Sequence, residues 1–201
     1  MNPIPVNLAT EDELSEAVLI RLLTFVGRYA IGTPYRRGGY GYLRRTIHGW
    51  NQAAGGVPFI VLTDLDRCEC PAALKGDWLK KPLHPNLLFR VAVREVEAWL
   101  LADAANLAAF LGISGKFVPA GPDDLTDPKA VLVQLAKRSR SRDLRDGLVP
   151  KPGSTAKQGP DYNGCLGTFV RSKWDSRAAA RSSPSLARTI ERLGAFEPTW
   201  R

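Results

Sequence analysis

An α/β fold is what the amino-acid sequence predicts: a mostly parallel central sheet with helices on both faces, plus a C-terminal helical appendage. Three observations predict it. Residues 57–63 and 87–93 are nearly continuous apolar runs, the pattern of strands buried on both faces. Strand-like segments alternate with segments of helical periodicity through the first half, as in successive βαβ units. The 201 residues suit one ordinary domain, and 44% hydrophobic with 24% charged residues is a globular composition. The α/β core is expected over 1–112, with a helical extension over 113–201 packed on it. No apolar run approaches the roughly 18 residues of a membrane span. Residues 1–8 lack the basic and apolar regions of a signal peptide, so a soluble cytoplasmic protein without a membrane partner is expected.

Taken in order, residues 4–9 read as a first or edge strand, with prolines only at its start. Thr10 reads as a helix N-cap, and Glu11, Asp12 and Glu13 suit the positive end of a helix dipole. Ala17, Val18, Leu19, Leu22, Leu23 and Val26 then give an apolar helical face to about Gly27. Residues 29–33 predict a short strand, 34–41 a glycine- and arginine-containing loop, and 42–54 a helix. The 57–63 strand ends in Asp64-Leu65-Asp66. Residues 95–111 predict one helix closed by Gly112, in which Trp99 reads as core. Pro128 opens a helix to about Arg140, 147–159 are irregular, and helices follow near 162–171 and 185–193. The pattern leaves Trp174 and Trp200 unplaced.

The acids carry the chemistry. Aspartates at i and i+2 of an extended chain point to the same side. Just past the carboxyl end of a buried parallel strand, Asp64 and Asp66 are expected where open α/β sheets bind ligands. Neighbouring carboxylates repel, and a hard cation such as Mg2+ relieves the repulsion while leaving positions for water. Glu11 follows the first strand at the analogous edge, and Glu95 and Glu97 begin the element after 87–93. The structural alternatives are an aspartate-capped turn, dipole stabilisation by Glu11, and pairing of Glu95 or Glu97 with Arg90 or Arg94.

This arrangement resembles the TOPRIM fold of topoisomerases, primases and overcoming-lysogenization-defect nucleases, which has a glutamate after its first strand and a DxD after a later one. Glu11-Asp12-Glu13-Leu14-Ser15-Glu16 looks like that family's EGxxD helix start, with Asp12 where glycine is usual and Ser15 where the second acid is usual. The runs Val61-Leu62-Thr63-Asp64-Leu65-Asp66-Arg67, Arg94-Glu95-Val96-Glu97-Ala98-Trp99-Leu100-Leu101-Ala102-Asp103 and Ser183-Pro184-Ser185-Leu186 look like a bacterial TOPRIM-like family of unknown function. Its members are often found beside ABC- or AAA-type ATPases in anti-phage settings. The resemblance implies a Mg2+ or Mn2+ site on Glu11, Asp64 and Asp66 and a phosphodiesterase acting on DNA or RNA, with an ATPase partner. Glu95 or Glu97 would hold a second metal or orient the attacking water.

The net charge of +8 favours a polyanionic partner. Arg36 and Arg37 flank the sheet edge in sequence, and the densest basic run is Lys137, Arg138, Arg140 and Arg142 with Arg145. These residues are the candidates for holding a phosphate backbone, a solvated helix end being the alternative. Other chemistries fit less well. Cys68, Cys70 and Cys165 are odd in number, and Cys68 and Cys70 with His84 lack zinc-site spacing. Gly38-Gly39-Tyr40-Gly41 lacks the lysine of a phosphate-cradling loop, and His48 and His84 have no nucleophile partner. Two rivals remain open: a DxD-type transferase or phosphatase, and a non-catalytic partner subunit that only docks an ATPase. For a dehalogenase-type phosphatase, Cys68 stands where threonine or valine is usual.

Overall fold

A computed structural model describes residues 2–36 and 38–199. The chain forms two compact units, Met1–Val93 with Arg188–Arg201, and Arg94–Ala187. The change of character read at Gly112 falls inside the second unit, at a left-handed helix C-cap.

In the first unit, strands β1 (Ile4–Ala9), β2 (Tyr29–Tyr35), β3 (Phe59–Asp64) and β4 (Leu87–Ala92) form an all-parallel sheet in the order β2-β1-β3-β4. Helices α1 (Glu13–Val26), α2 (Gly39–Ala53) and α3 (Pro71–Trp78) connect them, which is the α/β class expected. The uninterrupted apolar run of β3 reflects burial on both faces. Phe59 and Val61 pack with Leu43, Ile47 and Trp50 of α2 and Leu74 and Trp78 of α3. Pleat alternation turns the buried Ile60 and Leu62 to the other face, where α1, buried through Leu14, Val18, Leu19 and Leu22, meets the sheet. Each such side chain stabilises the fold by about 1.5–3 kcal/mol.

Three local departures from the sequence reading have physical causes. The α1 N-cap is Asp12, whose side chain accepts the Ser15 N–H at 2.8 Å, while Thr10 is buried. A charged cap also favours the helix dipole. The β1–β2 register shifts between Val6 and Leu8, where Asn7 Oδ1 accepts the Thr33 N–H at 2.9 Å. A Cβ on Gly32 would lie 2.7 Å from that oxygen, so a larger residue there would push the Asn7 side chain off this bond. Helix α3 has only Leu74 and Trp78 buried, too short an apolar pattern to be legible, and Cys70 caps it by accepting the Ala73 N–H.

The first unit draws on residues far apart in sequence. Buried Asn86 accepts the Thr199 N–H at 2.7 Å and donates to Ala54 O at 3.2 Å and Thr199 O at 3.0 Å. Arg28 pairs with Glu197.

The second unit is helical: α4 (Val96–Leu101), α5 (Ala104–Leu111), α6 (Pro128–Ala136), α7 (Arg142–Leu148), α8 (Tyr162–Ser172), α9 (Ser176–Ala180) and the start of α10 (Pro184–Gly194). The helix expected over 95–111 is two helices, broken at Asp103. Its buried carboxylate accepts the Asp175 N–H at 2.8 Å and the Asn106 amide at 2.9 Å. The helix opened by Pro128 ends at Ala136 rather than near Arg140, and Ser139 turns to donate to Leu111 O at 2.6 Å. Trp99 is core as expected, and Trp174 joins it, donating from Nε1 to Trp99 O at 3.2 Å. Trp200 lies outside the described residues. Among the described residues no helix is long and apolar enough to cross a membrane.

Candidate functional site

The strand order fixes where a ligand would sit. From β1 the chain passes to β2 on one side and later to β3 on the other. The carboxyl ends of β1 and β3 therefore flank a topological switch point, the crevice that open α/β sheets use for binding. Glu11 lies two residues past the end of β1, and Asp64 is the last residue of β3.

Glu11 reaches across this point. Its Oε1 accepts the Thr63 hydroxyl and the Asp64 N–H, the latter at 3.0 Å. Burial raises the Glu11 pKa above the usual carboxylate value. The bonds from Thr63 and Asp64 oppose that rise, and the negative charges of Asp66 and Asp12 push it up again. Thr63 went unread as a site residue. The signal for it was a lone hydroxyl in an otherwise apolar strand.

Asp64 and Asp66 do not share a side through strand alternation as the sequence reading assumed. The strand ends at Asp64, Leu65 is drawn into the core, and Asp66 lies in the turn that Cys68 N–H closes onto Leu65 O at 3.0 Å. Asp66 has φ 49°, a left-handed conformation that costs a non-glycine residue on the order of 1 kcal/mol or more. Asp66 is exposed and Asp64 is half-buried. Among the described residues no three His, Cys, Asp or Glu side chains group closely enough to hold a metal by themselves. The donors at the switch point are sparse: Glu11 and Asp66, near enough to feel each other's charge, with Asp64 beside them. Mg2+ is typically bound through one or two carboxylates, with water and substrate phosphate completing its shell. A Mg2+ ion here would have to complete its shell with water and substrate phosphate, whereas a structural zinc site needs four protein ligands. Cys68, Cys70 and His84 have other uses: Cys68 Sγ contacts Cys70 O, Cys70 caps α3, and His84 Nδ1 accepts the Asn86 N–H at 3.1 Å.

Glu95 and Glu97 belong to the second unit, where both carboxylates bond other elements of that unit. Glu97 is 2% exposed, with the Tyr162 hydroxyl donating to Oε1 at 3.1 Å and Lys129 Nζ at 3.5 Å from the same oxygen. Glu95 Oε2 accepts the Lys129 N–H at 2.9 Å, near the start of α6. These partners lie 34 and 65 residues along the chain, beyond any local pattern.

The basic candidates are dispersed in role. Arg36 is ion-paired with Glu13 at 2.6 Å and Glu16 at 3.1 Å, and Arg37 lies outside the described residues. Arg138 stacks its guanidinium 4.6 Å from the centroid of the Phe117 ring, and Arg142 pairs with Asp146 at 3.4 Å. Arg140 is exposed, and Arg145 donates to Ser139 O. Lys137 and Arg145 share an open cleft of about 640 Å³ with Lys151 and Asp146. No family model, curated protein or solved structure matches the chain.

Proposed function

We propose that the protein is a Mg2+-dependent phosphodiesterase acting on DNA or RNA, of the TOPRIM kind its sequence resembles, working with an ABC- or AAA-type ATPase in anti-phage defence. The observation that carries this reading is the Glu11 carboxylate, which bonds the end of β3 at the switch point while Asp66 presents a second charge beside it. Glu11, Asp64 and Asp66 would hold the ion, which supplies a polarised water and neutralises charge on the scissile phosphate. The chain's own contribution is orientation: Thr63 and the Asp64 amide fix the Glu11 carboxylate, and the turn at Asp66 sets the second acid. The cations at Lys137, Arg140 and Arg145 support a role in gripping the phosphate backbone.

Calorimetric titration of Mn2+ and Mg2+, with cleavage of labelled DNA and RNA alone and beside a cognate ATPase, tests the reading. Asp64→Asn and Asp66→Asn keep side-chain shape but remove the charge that holds the ion, so metal uptake and cleavage should both be lost while the fold persists. Cleavage that survives Asp64→Asn refutes the site. Absence of metal binding favours a non-catalytic subunit that docks an ATPase.

A further inference from the structure

Arg90 is a mid-strand residue of β4, an edge strand of the sheet, paired in register with Leu62. Its neighbours Phe89 and Val91 enter the core on one face, so alternation turns the guanidinium to the other. There Nε and one terminal nitrogen donate to Thr189 Oγ1 of α10 at 3.4 and 3.3 Å. That contact sets Arg90 against the helical turn carrying Arg188 and Arg192, four residues apart and both exposed. Among the described residues no carboxylate lies within ion-pair distance of Lys75, Arg90, Arg188 or Arg192. A half-buried guanidinium bonded only to a neutral hydroxyl is an uncommon arrangement, because a desolvated charge normally takes an anionic partner.

We propose that Arg90, Arg188 and Arg192 form a phosphate-binding site along the β4 edge. The groups also repel one another: burial, then Arg192 and Arg188, lower the Arg90 pKa, and burial, then Arg90 and Arg192, lower that of Lys75. Glu191 alone opposes the trend at Arg90. An incoming dianion relieves this repulsion and satisfies the guanidinium donors left over from Thr189. Arginine's planar fork suits phosphate oxygens. The phosphate belongs either to a nucleic-acid backbone or to a small free anion. The site requires nothing of the Glu11–Asp66 acids, so it stands or falls apart from the nuclease reading.

The test uses the full chain in EDTA, which removes metal from the question. Melting is followed with and without inorganic phosphate, and binding to a labelled single-stranded oligonucleotide is followed by anisotropy across salt concentrations. Arg188→Gln/Arg192→Gln removes two exposed charges without disturbing the core, and Lys80→Gln/Lys81→Gln makes the same charge change elsewhere. Phosphate should raise the wild-type melting temperature, and the α10 double variant should lose that shift while the control keeps it. If the natural phosphate is a nucleic-acid backbone, the α10 variant also binds the oligonucleotide about tenfold more weakly and with a salt slope reduced by about one to two. If it is a small anion, the phosphate shift alone is lost. Equal losses in both double variants, or no phosphate shift and no oligonucleotide binding in the wild type, overturn the proposal.

Discussion

Glu11 and Glu97 are both poorly exposed glutamates that follow strand-forming segments, yet the protein surrounds them with opposite chemistry. Glu97 has a cation and a phenol at its carboxylate, inside a helical unit. Glu11 has a hydroxyl and an amide, and the charges of Asp66 and Asp12 acting on it are negative. The first arrangement sets a positive charge against the carboxylate. The second keeps a cost that a bound cation would remove. An acid after a strand is therefore weak evidence of a site, and the sign of the charges around it is the stronger discriminator.

The largest effect should come from breaking the charge-paired glutamate, Glu97. Glu97→Ala strips Lys129 and the buried Tyr162 hydroxyl of an acceptor, and should destabilise by about 3 kcal/mol in urea denaturation. Glu97→Gln keeps the phenol contact and should lose about half as much. A loss below about 1 kcal/mol for Glu97→Ala would remove the contrast with Glu11.

The next effect reads Glu11 through pH. With a folded-state pKa raised above its unfolded value, Glu11 favours folding below about pH 4.5, and that contribution is lost as pH rises through the folded value. Without metal, wild-type stability should thus fall relative to Glu11→Gln as pH rises from below 4.5 toward neutrality. Added Mg2+ should narrow the gap at neutral pH. Parallel stability curves for the two proteins would argue against a raised pKa.

A smaller effect separates stability from function at Asp66. Glycine at φ 49° removes strain, so Asp66→Gly should gain about 0.5–1 kcal/mol, while Asp66→Val should lose about 1–2. If the acid is functional, the more stable glycine variant is the one without metal binding. Smallest of all, Arg36→Ala should leave the denaturation midpoint unchanged, because exposed ion pairs contribute little. It should also weaken nucleic-acid binding less than Lys137→Gln does, since Glu13 and Glu16 already offset its charge.

Legibility followed the range of the interactions. The β3 run and the Glu11 position were readable because burial on both faces and strand-to-helix order are local signals. The break at Asp103 was not, since it is set by Asp175, 72 residues away. Thr10 and Asp12 are both good caps in sequence, and the structure uses Asp12, directly before the helix start at Glu13. The two aspartates of DxD were legible as a pair, but their geometry was not. Whether Leu65 continues the strand or turns into the core depends on what lies beneath it.

The interleaved order of the two units bears on how the protein is made. On the ribosome the segment 94–187 emerges whole before residues 188–201 of the sheet unit are made. The sheet unit cannot finish so early. Asn86 waits for Thr199, and Arg28 for Glu197, partners 113 and 169 residues later. At translation rates of about 5–20 residues per second, Asn86 stays without Thr199 for roughly 5–20 s after its own synthesis. During that interval the sheet unit is incomplete and open to a chaperone or to the wrong strand. Synonymous changes that slow or speed translation between residues 94 and 187 should therefore alter the yield of folded protein without altering a single side chain.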